Sequence, residues 1–106
     1  MTAHMIYVIA PNETEAFNIS QTLVDEHLVA YANILPGMIS IYRWKDSIEQ
    51  SQEVLLLLKT TKANIKAVTE RVISLHSYEC PCVVNWPITG GNLAFLNWIK
   101  TETSSQ

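Results

Sequence analysis

Five consecutive apolar residues, Val54-Leu55-Leu56-Leu57-Leu58, lie in a segment that reads as a β-strand over residues 48–60. Successive side chains of a strand point to opposite faces, so a sheet with one wet face alternates apolar and polar positions. This run does not alternate, and both of its faces are expected to be covered. The cover comes either from the C-terminal helix of the same chain or from another copy. Length favours the second. The strand-like segment before it, residues 29–44, folds back onto it across Lys45-Asp46-Ser47. Strands of about 13–16 residues reach roughly 45–50 Å, whereas a 100-residue domain has a radius of gyration of about 13 Å. The hairpin must bend or overhang, and Pro36-Gly37 suits a bend or bulge. An overhanging hairpin presents unpaired edges, which proteins usually cover. Self-association is therefore expected.

Residues 5–10 form a short β-rich run ended by Pro11-Asn12. Asn12 is placed to cap a helix near residues 13–28, with Glu13 and Glu15 in its first turn and Ala16, Ile19, Leu23 and Val24 on one face. Thr60 or Thr61 is the expected cap of a second helix, in which Ile65, Val68, Val72 and Leu75 recur at helical spacing until about Ser77. A last strand over residues 82–86 and a short helix carrying Leu93, Phe95, Leu96 and Ile99 follow. The order β-α-β-β-α-β predicts an α+β, ferredoxin-like antiparallel sheet with two helices on one face, plus the short C-terminal helix. One domain is expected over residues 1–106, with a polar tail from about 101 to 106.

Only 16% of the 106 residues are charged against 48% hydrophobic, where about 25% charged is usual, so part of the surface is expected to meet protein. The net charge is −3 and no run of three basic residues occurs. Phosphate neutralisation has no footprint here, and nucleic acid is not an expected partner. The apolar run at 54–58 is far too short to span a bilayer, so no membrane partner is expected. Met1-Thr2-Ala3-His4 lacks the marks of a signal peptide, so a cytoplasmic location with reduced cysteines is expected.

Five ordered segments carry a resemblance. They are Asn33-Ile34-Leu35-Pro36-Gly37, Ser40-Ile41-Tyr42-Arg43-Trp44, Glu53 through Thr60, His76-Ser77-Tyr78-Glu79-Cys80-Pro81, and the ending that runs from Trp86-Pro87-Ile88 to Asn97-Trp98-Ile99. In sequence and separation they resemble the CutA divalent-cation tolerance family, from about residue 6 to residue 99. The resemblance implies a ferredoxin-like homotrimer whose long hairpin reaches onto a neighbour, and a role in divalent-cation, especially copper, tolerance. The chain departs from the family pattern at Tyr31, where a cysteine is usual, at Val8, where some bacterial members carry one, and at Asp46, Ser77 and Cys82. Of the ligands associated with the family's copper site, His76 alone remains.

Cys80-Pro81-Cys82, four residues after His76, is the most chemically suggestive segment. In extended chain, residues i and i+2 project to the same side, and two thiolates beside an imidazole suit a soft ion such as Cu(I). His76, Cys80 and Cys82 are the candidate metal ligands, and burial of two small reduced thiols is the plain alternative. No resident cofactor is expected; copper or another divalent cation is the candidate metal. Tyr42, Trp44, Lys59, Tyr78 and Glu79 are candidates for a cleft between subunits that takes a small anion or other ligand. Lys59, ending an apolar run, is expected to reach solvent or Glu79.

The leading functional reading is a non-enzymatic trimer of metal-ion homeostasis. A second is a signalling trimer resembling PII proteins, which bind small ligands between subunits but carry a long mobile loop where this chain has only Lys45-Asp46-Ser47. A small enzyme ranks last, because no nucleophile motif is present.

Overall fold

The computed structural model describes residues 2–104. In chain order it contains β1 (Ala3–Ala10), α1 (Glu13–Asp25), β2 (Tyr31–Trp44), β3 (Ser47–Thr61), α2 (Ile65–Leu75), β4 (Val83–Pro87) and α3 (Leu93–Glu102). The four strands form one antiparallel sheet in the order β2-β3-β1-β4. This is the predicted α+β arrangement.

Pleating separates the faces of β1. Ile6, Val8 and Ala10 are fully buried, while Met5, Tyr7 and Ile9 between them are half-buried. Ile6 pairs with Leu58, Val8 with Leu56 and Ala10 with Val54. Onto this row pack Ala16, Ile19 and Leu23 of α1 and Val68 and Val72 of α2, which completes the core. Asn12 caps α1 as expected, its Oδ1 accepting from the Glu15 N–H at 2.8 Å.

Three element boundaries differ from expectation. α1 ends at Asp25 rather than near residue 28, because His27 takes a left-handed φ of 60°. The N–H groups of His27 and Leu28 then bond back to the carbonyls of Val24 and Leu23, a Schellman-type stop with no glycine to announce it. Neither Thr60 nor Thr61 caps α2. β3 runs to Thr61, the Thr60 hydroxyl donates to the Leu28 carbonyl at 2.7 Å, and a 3₁₀ turn (Lys62–Asn64) intervenes. The expected polar tail begins too early: Thr101 and Glu102 belong to α3, and Thr103 is buried with its hydroxyl donating to the Ile99 carbonyl. Ser105 and Gln106 lie outside the described residues.

The second face of the sheet is only partly covered. α3 closes one end, where Tyr31, opposite Lys59 in register, meets Phe95 and Trp98 edge-on at 5.9 and 6.0 Å. Further along, Leu55 and Leu57 are half-buried, and Val84 and Trp86 are exposed. The β2–β3 hairpin overhangs, giving the chain extents of 44 × 25 × 22 Å. Every residue from 41 to 50 is exposed. Its tip is a two-residue turn with Lys45 and Asp46 at φ of 48° and 68°, the primed geometry that matches strand twist. The register shifts between Leu35 and Met38, so Pro36-Gly37 forms the expected bulge, with Gly37 at φ 83°.

Candidate functional site

Where the hairpin root, β1 and the segment after α2 converge, a cavity of about 640 Å³ opens on the second face of the sheet. Tyr7 and Ile9 form its floor. Residues 38–42 and Trp44 line it from β2, Glu53 from β3, and Tyr78, Glu79, Cys80 and Cys82 from the segment after α2. Alternation puts Met38, Ser40 and Tyr42 on the face of Glu53 and Ser51, and the Tyr42 hydroxyl sits 2.9 Å from Ser51 Oγ across the ladder.

Glu53 is 7% exposed, and its Oε2 accepts from the Tyr78 hydroxyl at 2.5 Å. Burial above all, then the hydrogen bond to Glu53 and the nearby negative charges, lift the Tyr78 phenol well above its ordinary range. A raised phenol contributes stability that is complete below the unfolded value, about pH 10, and is lost as pH climbs through the folded value. Burial depresses the Lys59 ammonium, which works in the opposite sense. The difference between wild type and Tyr78→Phe therefore isolates the phenol. Tyr78→Phe is expected to cost about 1–3 kcal/mol at pH 7 by leaving the Glu53 carboxylate short of a partner. The gap should narrow above about pH 10. Urea unfolding across this range measures it, and a gap that widens there contradicts the assignment.

His76 is placed differently from a ready metal ligand. Its side chain is fully buried at the C-cap of α2. Nε2–H donates to the Ile9 carbonyl at 2.7 Å, and Nδ1 accepts the Tyr78 N–H at 3.0 Å. These partners engage both nitrogens. Glu15, whose Oε2 lies 3.3 Å from Nδ1, accepts the Ser77 N–H at 3.0 Å. The imidazole thus ties the turn after α2 to β1. Cys80 is exposed and Cys82 half-buried, both unpaired. Burial first, then Glu53 and Cys80, raise the Cys82 thiol. Among the described residues no group of three His, Cys, Asp or Glu side chains is arranged to hold a metal, so His76, Cys80 and Cys82 do not form one ligand set.

Of the five cleft candidates, Tyr42, Trp44, Tyr78 and Glu79 share the cavity and Lys59 does not. The Lys59 ammonium donates to Asn33 Oδ1 at 2.6 Å and lies 4.6 Å from the Tyr31 ring centre. The expected Lys59–Glu79 contact is absent because Asn33 and Tyr31, on the strand beside it, are nearer partners. Within one chain the described cavity walls carry no lysine, arginine or histidine. Glu53 was not singled out from the sequence. The signal available was a lone acid at the head of an apolar run, a position that needs a partner once buried.

Sequence and structure comparisons place these features among known proteins. Residues 4–102 match the family described as CutA1 divalent ion tolerance protein. The chain is 41% identical over 99 residues to the divalent-cation tolerance protein CutA of Thermus thermophilus, covering 93% of this chain and 96% of that one. It is 43% identical over 93 residues to the protein CutA homolog of Xenopus laevis, covering 88% of this chain and 62% of the relative. The crystal structure of CutA1 from Oryza sativa superposes with a TM-score of 0.96 at 35% identity, covering 100% of this chain and 97% of that one. With the four-stranded sheet, the bulged overhanging hairpin and these matches in agreement, the chain belongs to the CutA1 divalent ion tolerance family.

Proposed function

We propose that this protein serves divalent-cation tolerance as a non-enzymatic cytoplasmic homotrimer, each hairpin lying on the open sheet face of a neighbour, and that Cys80 and Cys82 make the contact with copper. One observation carries the assembly. Ile41 and Ile48 on the overhanging tip are each 70% exposed, while Leu55, Leu57, Val84 and Trp86 leave a matching apolar face uncovered. Apolar surface of this extent marks an interaction site, and a hairpin-on-face contact joins two different surfaces, so copies related by a closing rotation form a ring. Three subunits is the count that family resemblance supplies. The engaged nitrogens of His76 support a role other than catalysis, since that imidazole has no free lone pair to take a proton from a nucleophile. Two thiols two residues apart, one at the surface, suit Cu(I), with His76 holding the turn that presents them.

Sedimentation at low micromolar concentration is expected to give three times the 12.0 kDa chain mass; a folded single chain overturns the assembly. Cu(I) titration under reducing conditions is expected to lose stoichiometry in a Cys80→Ser, Cys82→Ser variant. An unchanged stoichiometry removes the thiols from the account.

The cavity favours a second reading, a PII-like signalling trimer that binds a small ligand at clefts between subunits; the two-residue turn at Lys45 and Asp46 counts against it. Stabilisation by a nucleotide or metabolite in a thermal-shift screen, with no response to metal, would favour it.

A further inference from the structure

The two faces of the overhanging hairpin differ in kind. Ladder pairing puts Ile39, Ile41, Arg43 and Ile48 on one face, and Met38, Tyr42 and Glu53 on the other, which lines the cavity. All four residues of the first face are exposed. Arg43 ends its isoleucine row, and among the described residues it forms no ion pair. Glu49, paired with Tyr42, projects to the opposite face. The other cations nearby are engaged within the chain. Lys45, in the turn, holds its ammonium 5.6 Å from the centre of its own Trp44 ring, and Lys59 donates to Asn33. Arg43 is the hairpin's unengaged charge, set in an apolar row.

The cavity is its counterpart. Glu53 and Glu79 line it, and neither carboxylate forms an ion pair among the described residues. Glu53 is already more than nine-tenths buried in the single chain. The Tyr78 hydroxyl satisfies its Oε2, whereas Oε1 has no hydrogen-bond partner among the described residues. A neighbour's hairpin laid on this face removes the water that still reaches that oxygen. Burying a carboxylate without a cation is costly, so the segment that covers Glu53 has to carry one. The rings of Tyr42 and Trp44 beside the carboxylates favour a planar guanidinium, which forks onto a carboxylate and stacks on an aromatic face. We infer that Arg43 of the partner subunit completes this cavity, donating to Glu53 Oε1 and to the Glu79 carboxylate. The isoleucines of the same hairpin face lie against the apolar walls. The inference rests on the proposed ring and specifies its contact: each subunit gives one Arg43 and receives another.

The test is a double-mutant cycle on full-length trimers, read as the rate of subunit exchange. Isotopically light and heavy preparations are mixed at pH 7 in one sub-denaturing urea concentration, and native mass spectrometry follows the mixed species. Arg43→Gln and Glu53→Gln are each expected to speed exchange at least about tenfold, since each leaves the opposite charge buried and alone. Glu53→Gln keeps an oxygen for the Tyr78 hydroxyl. The double variant is expected to exchange at least about tenfold more slowly than the product of the two single effects. Lys45→Gln is expected to stay within about twofold of wild type. If Glu53→Gln fails to fold, Glu79→Gln takes its place in the cycle, with an expected coupling of about threefold at this exposed position. Single effects that simply multiply overturn the pairing and leave the assembly standing, as does Arg43→Gln exchanging at the wild-type rate. An equal acceleration by Lys45→Gln also overturns it, by reducing Arg43 to one more positive charge on the tip. Wild-type protein that sediments as single 12.0 kDa chains overturns the assembly itself, and the pairing with it.

Discussion

Replacing Ile39 and Ile41 together by aspartate is expected to give single 12.0 kDa chains that keep their secondary structure. The two side chains are 59% and 70% exposed on the overhanging hairpin, so a lone subunit gains little from them. In an assembly the balance reverses. Fully burying an isoleucine contributes about 1.5–3 kcal/mol, each subunit supplies both residues, and an aspartate at the same place carries an unpaired charge into an apolar contact. The combined loss exceeds what a small interface tolerates. Sedimentation velocity paired with far-ultraviolet circular dichroism reads the outcome, and an unchanged mass would show that the hairpin is not the contact.

Leu56→Ala is expected to act inside the subunit instead. Leu56 is fully buried, paired with Val8 on β1 and packed under α1 and α2. Truncating a buried leucine costs about 2–5 kcal/mol through lost transfer energy and the cavity left behind. That is a large share of the 5–15 kcal/mol typical of a domain. Urea unfolding at fixed chain concentration measures it, the concentration being held because assembly shifts apparent stability. Leu55→Ala, at a half-buried neighbour facing the other way, should cost less in any preparation that remains monomeric. Equal losses at the two positions, or a loss below about 1 kcal/mol at Leu56, would mean that the helix-covered face is not the core.

The features legible in the sequence are those set by local chemistry. Asn12 caps α1 through a neighbour three residues away, and Pro36-Gly37 marks the bulge by backbone constraints of its own. Alternation along β2 was enough to place Tyr42 and Trp44 together. What escaped depends on distant partners. The Thr60 hydroxyl is taken by a carbonyl 32 residues away, which moves the start of α2. Lys59 finds Asn33, 26 residues back, rather than an acid. Glu53 becomes a buried carboxylate only because Tyr78, 25 residues on, covers it. His76 reads as a ligand until its Nε2 meets the backbone of Ile9, and a carbonyl leaves no mark in a sequence.

The bulge at Pro36-Gly37 also governs handedness of display. Before it, odd-numbered residues of β2 oppose Leu55 and Leu57; after it, even-numbered residues oppose Glu53 and Ser51. Deleting one residue there would remove the extra residue of the bulge and leave Met38 opposite Glu53, so the sides are kept and only the local bend is lost. Deleting two would place Met38 directly after Leu35 and turn Met38, Ser40 and Tyr42 toward the other face of the sheet. Chain length at this one joint is thus a parity switch: the single extra residue of the bulge decides which side chains of the outer hairpin join the row of Leu55 and Leu57.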